Sequence, residues 1–339
     1  MRKLILLTIT FALFLTILIS CGGSSPVGSS SAVQPGNAPI ANAPAKEFKI
    51  VLLPDTQIYS KSYPQIYSSQ TQWIADNAAA QNIKVVLGLG DIVDGGGEGP
   101  QWNAADAAMR LLDNRVPYML AMGNHDYDRN DPAARTSHTV NFNKYFGPAR
   151  YSGNSWYRGS FPSGSNENFY GTFTLEGKPF LVLVLEPFPR DISLNWAAGV
   201  LNANQDKDVI IVTHSFTHED NTRVAPGEPN SAMYFGVDQD NDGEEMWSKF
   251  VKNYKNVVMV VSGHIAGADG VGRLVSQGTN GNLVNQMLSD YQSYPMGGGG
   301  FLRVLTFKLA SNKVDVSTFS PYLNQYKTDG DNQFTIQYK

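Results

Sequence analysis

Five short stretches of this chain each set a polar side chain directly behind an apolar run. Asp55 follows FKIVLLP (48–54), Asp91 follows IKVVLGLG (83–90), and Asn124-His125 follow VPYMLAMG (116–123). His214 follows DVIIVT (208–213), and His264 follows VVMVVSG (257–263). Taken singly, each has an ordinary explanation: a strand-end Asp caps a turn, and Asn-His-Asp can itself be one. A lone histidine at a strand end is commonly a hydrogen-bonded structural residue. Taken together, carboxylate, amide and imidazole donors without any thiolate form a set that suits Mn, Fe, Zn or Co. Two such cations held close together neutralise anionic charge, activate water and stabilise a leaving oxygen.

The elements needed to bring these groups together are legible as alternating strands and helices. Helices are expected over 68–81, 101–114, 194–202 and 244–254, the last capped by Asp242. Segments 169–175 and 179–185 are expected to pair as a hairpin, whereas 127–168 and 216–243 read as long loops. From 271 to about 319 the chain reads as several strands, and no internal repeat is present. The alternation predicts an α/β fold with a largely parallel sheet, whose functional groups gather at the carboxyl ends of the strands. All five polar positions lie there.

PDTQ (54–57), GDIVD (90–94), GNHD (123–126), VTHS (212–215) and SGHIAG (262–267) resemble, in order, the five motifs of the calcineurin-like metallophosphoesterases. The resemblance covers roughly 48–268. It implies a four-layer α/β/β/α sandwich, with 271–320 supplying the second sheet behind the site. The domain is expected over 47–325, with 326–339 as a C-terminal tail. The resemblance further implies two divalent metal ions and hydrolysis of a small phosphate mono- or diester by a metal-bound hydroxide. Asp91 would bridge the ions, with Asp55 and Gln57 on the first and Asn124, His214 and His264 on the second. His125 would stabilise the transition state or protonate the leaving oxygen, oriented by the Asp94 carboxylate.

Two positions depart from the family pattern. Gln57 replaces the histidine of the opening Asp-x-His, and Ala266 replaces the second histidine of Gly-His-x-His. Both losses fall on the first metal, leaving an oxygen-rich, weaker site better matched to Mn or Mg than to Zn. Three outcomes follow: a loosely held first metal, which is the expectation; a substitute ligand from a loop, with His218 and Asp269 as candidates; or a single metal. Gly95-Gly96-Gly97 stand where protein phosphatases of the family carry arginine. Asp94 stands where purple acid phosphatases carry tyrosine. Neither branch is therefore expected. Tyr151, Trp156, Tyr157, Tyr291 and Tyr294 would either stack on a base or sugar or pack within the body. DQDNDGEE (238–245) begins like a calcium loop, but its twelfth position is Lys249, so an acidic helix start is the better reading. His138 is expected to be exposed in a loop.

With 26 Lys and Arg against 30 Asp and Glu, and no basic cluster, the chain offers no face for nucleic acid. Its single cysteine, Cys21, excludes an internal disulfide. Met1-Arg2-Lys3, an apolar run and Leu18-Ile19-Ser20-Cys21 resemble a bacterial lipoprotein signal over 1–20, with lipid attached to Cys21. The alternative is an uncleaved anchor, and either reading puts the body outside the cytoplasm, in the cell envelope. Residues 21–46 read as a flexible tether with a reach of roughly 25–30 Å. Two rival functions remain open: a lipid-anchored binding module keeping one structural metal, and a carbohydrate-directed lipoprotein. The histidines and Asn in the cluster argue against the latter.

Overall fold

The computed structural model describes residues 46–129, 139–235 and 240–339. The signal at 1–20, Cys21 and the tether up to residue 45 lie outside the described residues, as do His138 and Asp238. Three parallel strands open the chain: β1 (Glu47–Leu53), β2 (Ile83–Gly88) and β3 (Tyr118–Leu120). A second sheet follows, from β4 (Tyr157–Phe161), β5 (Asn168–Leu175), β6 (Lys178–Val184), β7 (Asp208–Val212), β8 (Val257–Ser262), β9 (Val271–Gln277) and β10 (Leu283–Ser289). Its order is β4-β5-β6-β7-β8-β10-β9, with β6, β7, β8 and β10 mutually parallel. The chain then returns to the first sheet. β11 (Leu302–Lys308) pairs antiparallel with β1, and β12 (Lys313–Ser320) pairs with β11.

This corrects the expectation that 271–320 forms a sheet of its own. β9 and β10 complete one sheet, β11 and β12 the other, because the open edges of β8 and β1 each take a partner. The segment set apart as a tail is also sheet. β13 (Gln325–Lys327) and β14 (Phe334–Gln337) both pair with β12, and Tyr338 is buried in the core between the sheets.

Three apolar clusters separate four layers. Helices α1 (Gln57–Ser62), α2 (Pro64–Asn77), α3 (Gly99–Met109), α4 (Val140–Phe146) and α5 (Pro148–Tyr151) cover the outer face of the first sheet. Ile66, Tyr67, Trp102 and Phe142 meet Val51, Val86 and Leu120 there. Between the sheets, Ile50, Leu52, Val85 and Leu87 face Val182, Ile210, Val212 and Met259. α6 (Asp191–Asn202) and α7 (Gly243–Lys249) lie on the second sheet's outer face, with Leu194, Leu201, Met246 and Trp247 against Leu183, Ile211 and Val260. The α/β/β/α sandwich is therefore present. Strand residues alternate between the two clusters on either side, as the two-residue period of a strand requires.

Several boundaries moved. The helix expected at 68 begins at Pro64, which fits a first-turn position where no N–H is needed. The expected hairpin forms, turning through Glu176 (φ 50°) and Gly177 (φ 83°), both left-handed as a two-residue hairpin turn demands. α7 stops at Lys249 because Phe250 leaves helical geometry (φ −131°, ψ −70°).

Asp242 caps α7 as expected, so the acidic run is a helix start. It accepts the Ala232 N–H at 2.7 Å, while Glu245 reaches back to the Asp242 N–H at 3.3 Å. Burial, with Glu245, Glu228 and Asp240 nearby, pushes its carboxyl up to about 6. A carboxyl raised on folding favours the folded state when protonated, so its contribution is lost as pH rises from about 4 through 6. Asp242→Asn keeps the cap without the charge. The variant is expected to be more stable at pH 7.5 by roughly 1 kcal/mol, or about 2–4 °C in Tm, with the gain gone at pH 4. Thermal unfolding at the two pH values checks this, and a loss at pH 7.5 would show that the charge itself supports the cap.

Candidate metal centre

β1, β2, β3, β7 and β8 deliver their polar followers to one edge, as expected. Donor atoms of Asp91, His214 and His264 all lie within 4.8 Å of one another, and all three residues are buried. His214 Nδ1 donates to the Leu89 carbonyl at 2.9 Å, leaving Nε2 to face inward. Around that atom stand Asn124 Oδ1 at 3.1 Å, His264 Nδ1 at 3.2 Å and Asp91 Oδ2 at 3.3 Å. His264 Nε2 donates to the Asn230 carbonyl at 3.2 Å, which leaves Nδ1 as the acceptor of that ring. One proton on His214 Nε2 can satisfy only one of these three neighbours. A cation among them would satisfy all four donors, since bonds of about 2.0–2.2 Å place ligand atoms roughly 3–3.5 Å apart. The residues thus fit a divalent metal.

Charge follows the same logic. Burial alone would raise Asp91, yet the His214, His125 and His264 imidazoles hold it down at about 2. Burial lowers His214 and Asp91 more than reverses it, so that ring sits above its ordinary value. Burial and the neighbouring His214 drive His264 down to about 3. Both Asp91 (φ 45°) and His264 (φ 76°) are held in left-handed backbone. Such conformations cost of order 1–3 kcal/mol each and gather at functional sites. Gly123 is needed because a Cβ there would sit 2.0 Å from Asp91 Oδ1.

The neighbouring oxygen site is equally plain. Asp55 Oδ2 accepts the His264 N–H at 3.0 Å, whereas its buried Oδ1 has no donor among the described residues. Gln57 gives its amide N–H to Gln292, and its own buried carbonyl oxygen has no donor among the described residues. Burial, with Asp290 and Asp91 close by, pushes Asp55 well above the usual carboxylate range. Asp290 is fully buried here and was not anticipated; no local pattern marks it. The two loop residues considered as substitute ligands turn elsewhere. His218 turns to Asp220 at 3.5 Å, and the exposed Asp269 meets the Tyr294 hydroxyl at 3.4 Å.

His125 lies on the other side of Asp91. Its N–H donates to Asp91 Oδ1 at 2.9 Å, and its ring Nδ1 lies 2.9 Å from the Asp94 main-chain carbonyl. The expected orientation by the Asp94 carboxylate is therefore corrected: that carboxylate meets Lys61 Nζ at 2.6 Å, and the peptide oxygen holds the ring. Burial lowers the His125 ring, but Asp91 and Asp94 together lift it above its usual value. Asp126, readable from GNHD but not singled out, binds the two loops by accepting N–H groups of Gly123, Val93 and Ile92 at 2.8, 3.0 and 3.1 Å. An open cleft of about 460 Å³ is lined by Lys61, Asp94, Gln101, Asp128 and Arg129, and it reaches His125 only through Asp94. Of the aromatic residues considered for stacking, Tyr151 is buried among Trp156, Tyr157 and Phe169, and Tyr291 is buried beside Phe301, whereas Trp156, Tyr157 and Tyr294 are half-buried.

Residues 48–267 match the family model described as calcineurin-like phosphoesterase. The chain belongs to the calcineurin-like phosphoesterase family, a family of metal-dependent phosphoric ester hydrolases. It is 36% identical over 300 residues, 84% of its length, to the uncharacterized protein YvnB of Bacillus subtilis (strain 168), of which it spans only 21%. Among solved structures it resembles the purple acid phosphatase PPD1 of yellow lupin, with TM-score 0.52 and 14% identity over 86% of this chain and 54% of that one. It also resembles GAP50 of Plasmodium, with TM-score 0.43 and 14% identity over 86% and 89% of the two chains. The first of these likenesses is one of fold.

Proposed function

We propose that this protein hydrolyses small phosphate mono- or diesters at two divalent metal ions, the first of them held in an oxygen-rich site suited to Mn. The observation that carries this reading is the convergence of three donor atoms on His214 Nε2, together with the two buried oxygens of Asp55 and Gln57 that have no donor among the described residues. Asn124, His214 and His264 would hold one ion, Asp55 and Gln57 the other, and Asp91 both. The ions would neutralise the phosphate and lower the pKa of water. The protein's own part is positioning and proton transfer. His125 keeps its Nδ1 proton on the Asp94 carbonyl and presents Nε2 to the leaving oxygen. The Lys61–Asp94 pair braces the loop that carries this carbonyl. The polar cleft lined by Asp94 would admit the alcohol portion of the ester. Lipid on Cys21 would hold this chemistry at the cell envelope, on the evidence of Leu18-Ile19-Ser20-Cys21.

The deciding experiment is hydrolysis of a chromogenic phosphodiester and a phosphomonoester by chelated protein during a Mn titration. Activity is expected to rise with Mn, and the ratio of the two rates assigns mono- or diesterase character. Folded protein that stays inactive on both substrates at every Mn concentration would overturn the proposal.

A further inference from the structure

We infer that Asp290 is a ligand of the first metal and replaces the histidine that Ala266 lacks. The inference rests on the two-metal reading above and adds to it a residue outside all five motifs. Topology brings Asp290 to the site. β10 runs parallel to β8, with Leu288 opposite Ser262. Just beyond that pair, Asp290 leaves β10 at the sheet edge where His264 follows β8. The loops that follow are joined: the Asp290 N–H donates to the Gly270 carbonyl at 2.7 Å, and Ser293 Oγ donates to the Ala266 carbonyl. Gly270 has φ 60°, and a Cβ there would collide with the Asp290 carbonyl at 1.5 Å. The position that lost a ligand and the position that gained a carboxylate are thus stitched together.

The Asp290 side chain is aimed inward and held. Gln292 donates its main-chain N–H to Oδ1 at 3.0 Å and its side-chain amide to Oδ2 at 3.1 Å. Gln292 Oε1 in turn accepts the Gln57 amide, which fixes Gln57 with its carbonyl oxygen unclaimed. One residue therefore orients both Asp290 and Gln57. The buried Asp290 and Asp55 carboxyls lie close enough for each to act on the other's charge. Asp55 Oδ1 has no donor of its own, and Asp91 stands near both. Buried carboxylates facing one another without a resident cation need either a shared proton or a metal. The Gln57 carbonyl points to the metal: it is buried without a donor among the described residues, and a proton shared between carboxyls would leave it so. The first site becomes all-oxygen, from Asp55, Asp91, Asp290 and Gln57, and should prefer Mn to Zn.

The test is Mn binding to the purified full-length chain, followed by calorimetry and by Mn electron paramagnetic resonance, independently of turnover. The wild type is expected to bind two Mn with the signature of a coupled pair. Asp290→Asn is expected to weaken the first Mn by about 10–100-fold or more. It should retain the second Mn with unchanged affinity and show an uncoupled signal. The retained second ion also reports that the variant is folded; should it be lost, Asp290→Ser, which can still accept the Gln292 N–H, carries the same expectation. Two Mn bound with wild-type affinity and coupling in either variant would overturn the inference. So would a wild type that binds a single Mn unaffected by Asp290→Asn, which would overturn the two-metal reading as well. A wild type that binds two Mn, loses one on Asp290→Asn, yet hydrolyses no phosphate ester would leave Asp290 assigned and the proposed function refuted.

Discussion

Asp91→Asn is expected to abolish hydrolysis, lowering the rate by about 10³-fold or more, the loss of several kcal/mol that removal of a metal-bridging charge entails. The substitution tests chemistry separately from folding. Asn tolerates the left-handed backbone that Asp91 adopts (φ 45°), and its Oδ1 can still accept the His125 N–H. What it loses is the negative charge facing His214 Nε2 at 3.3 Å and the second anionic oxygen. Metal content, measured after equilibration with Mn and removal of excess, should fall together with activity while the circular dichroism spectrum is unchanged. Wild-type turnover in this variant would remove the metal centre from the mechanism altogether.

His125→Ala should separate the two halves of the site. No donor to the central cluster comes from the His125 ring, and the Asp91 contact is made by the main-chain N–H, which alanine retains. Metal content should therefore be unchanged. The rate with a poor alkoxide leaving group is expected to fall by about 10²–10³-fold, the usual worth of a positioned proton donor. An activated nitrophenyl ester, whose leaving group needs no proton, should lose far less. Equal losses on both substrates would argue that the ring stabilises charge on the phosphate and does not deliver a proton.

How much of this was legible in the sequence depends on whether the signal was local. Asp55, Asp91, Asn124, His214 and His264 announce themselves because each follows an apolar strand, and the strand end sets the position whatever the distant partner does. The α/β class was legible through the same alternation, whereas the four layers were expected only from the resemblance. Asp290 was not, although it too follows a strand: LVNQMLS mixes polar and apolar residues, and its parallel pairing with β8 is a tertiary choice made over the intervening β9. The role given to the Asp94 carboxylate failed for a related reason. Its partner, Lys61, sits on a six-residue helix with no side-chain cap, too short to show a period. The split of the C-terminal strands between two sheets was equally invisible, since strand propensity says nothing about which open edge a strand will choose.

That choice of edge sets an order of assembly. β1 carries Asp55 at its end, and one of its two flanks is filled only by β11, residues 302–308. A chain emerging from its N-terminus must wait for more than 240 further residues before β1 has both neighbours. Long-range pairing of this kind is slow to form. Until then β1 offers an unpaired flank that invites association with other chains. A truncation that removes β11 to β14 would therefore yield an aggregation-prone protein, even though every one of the five recognisable motifs would still be present.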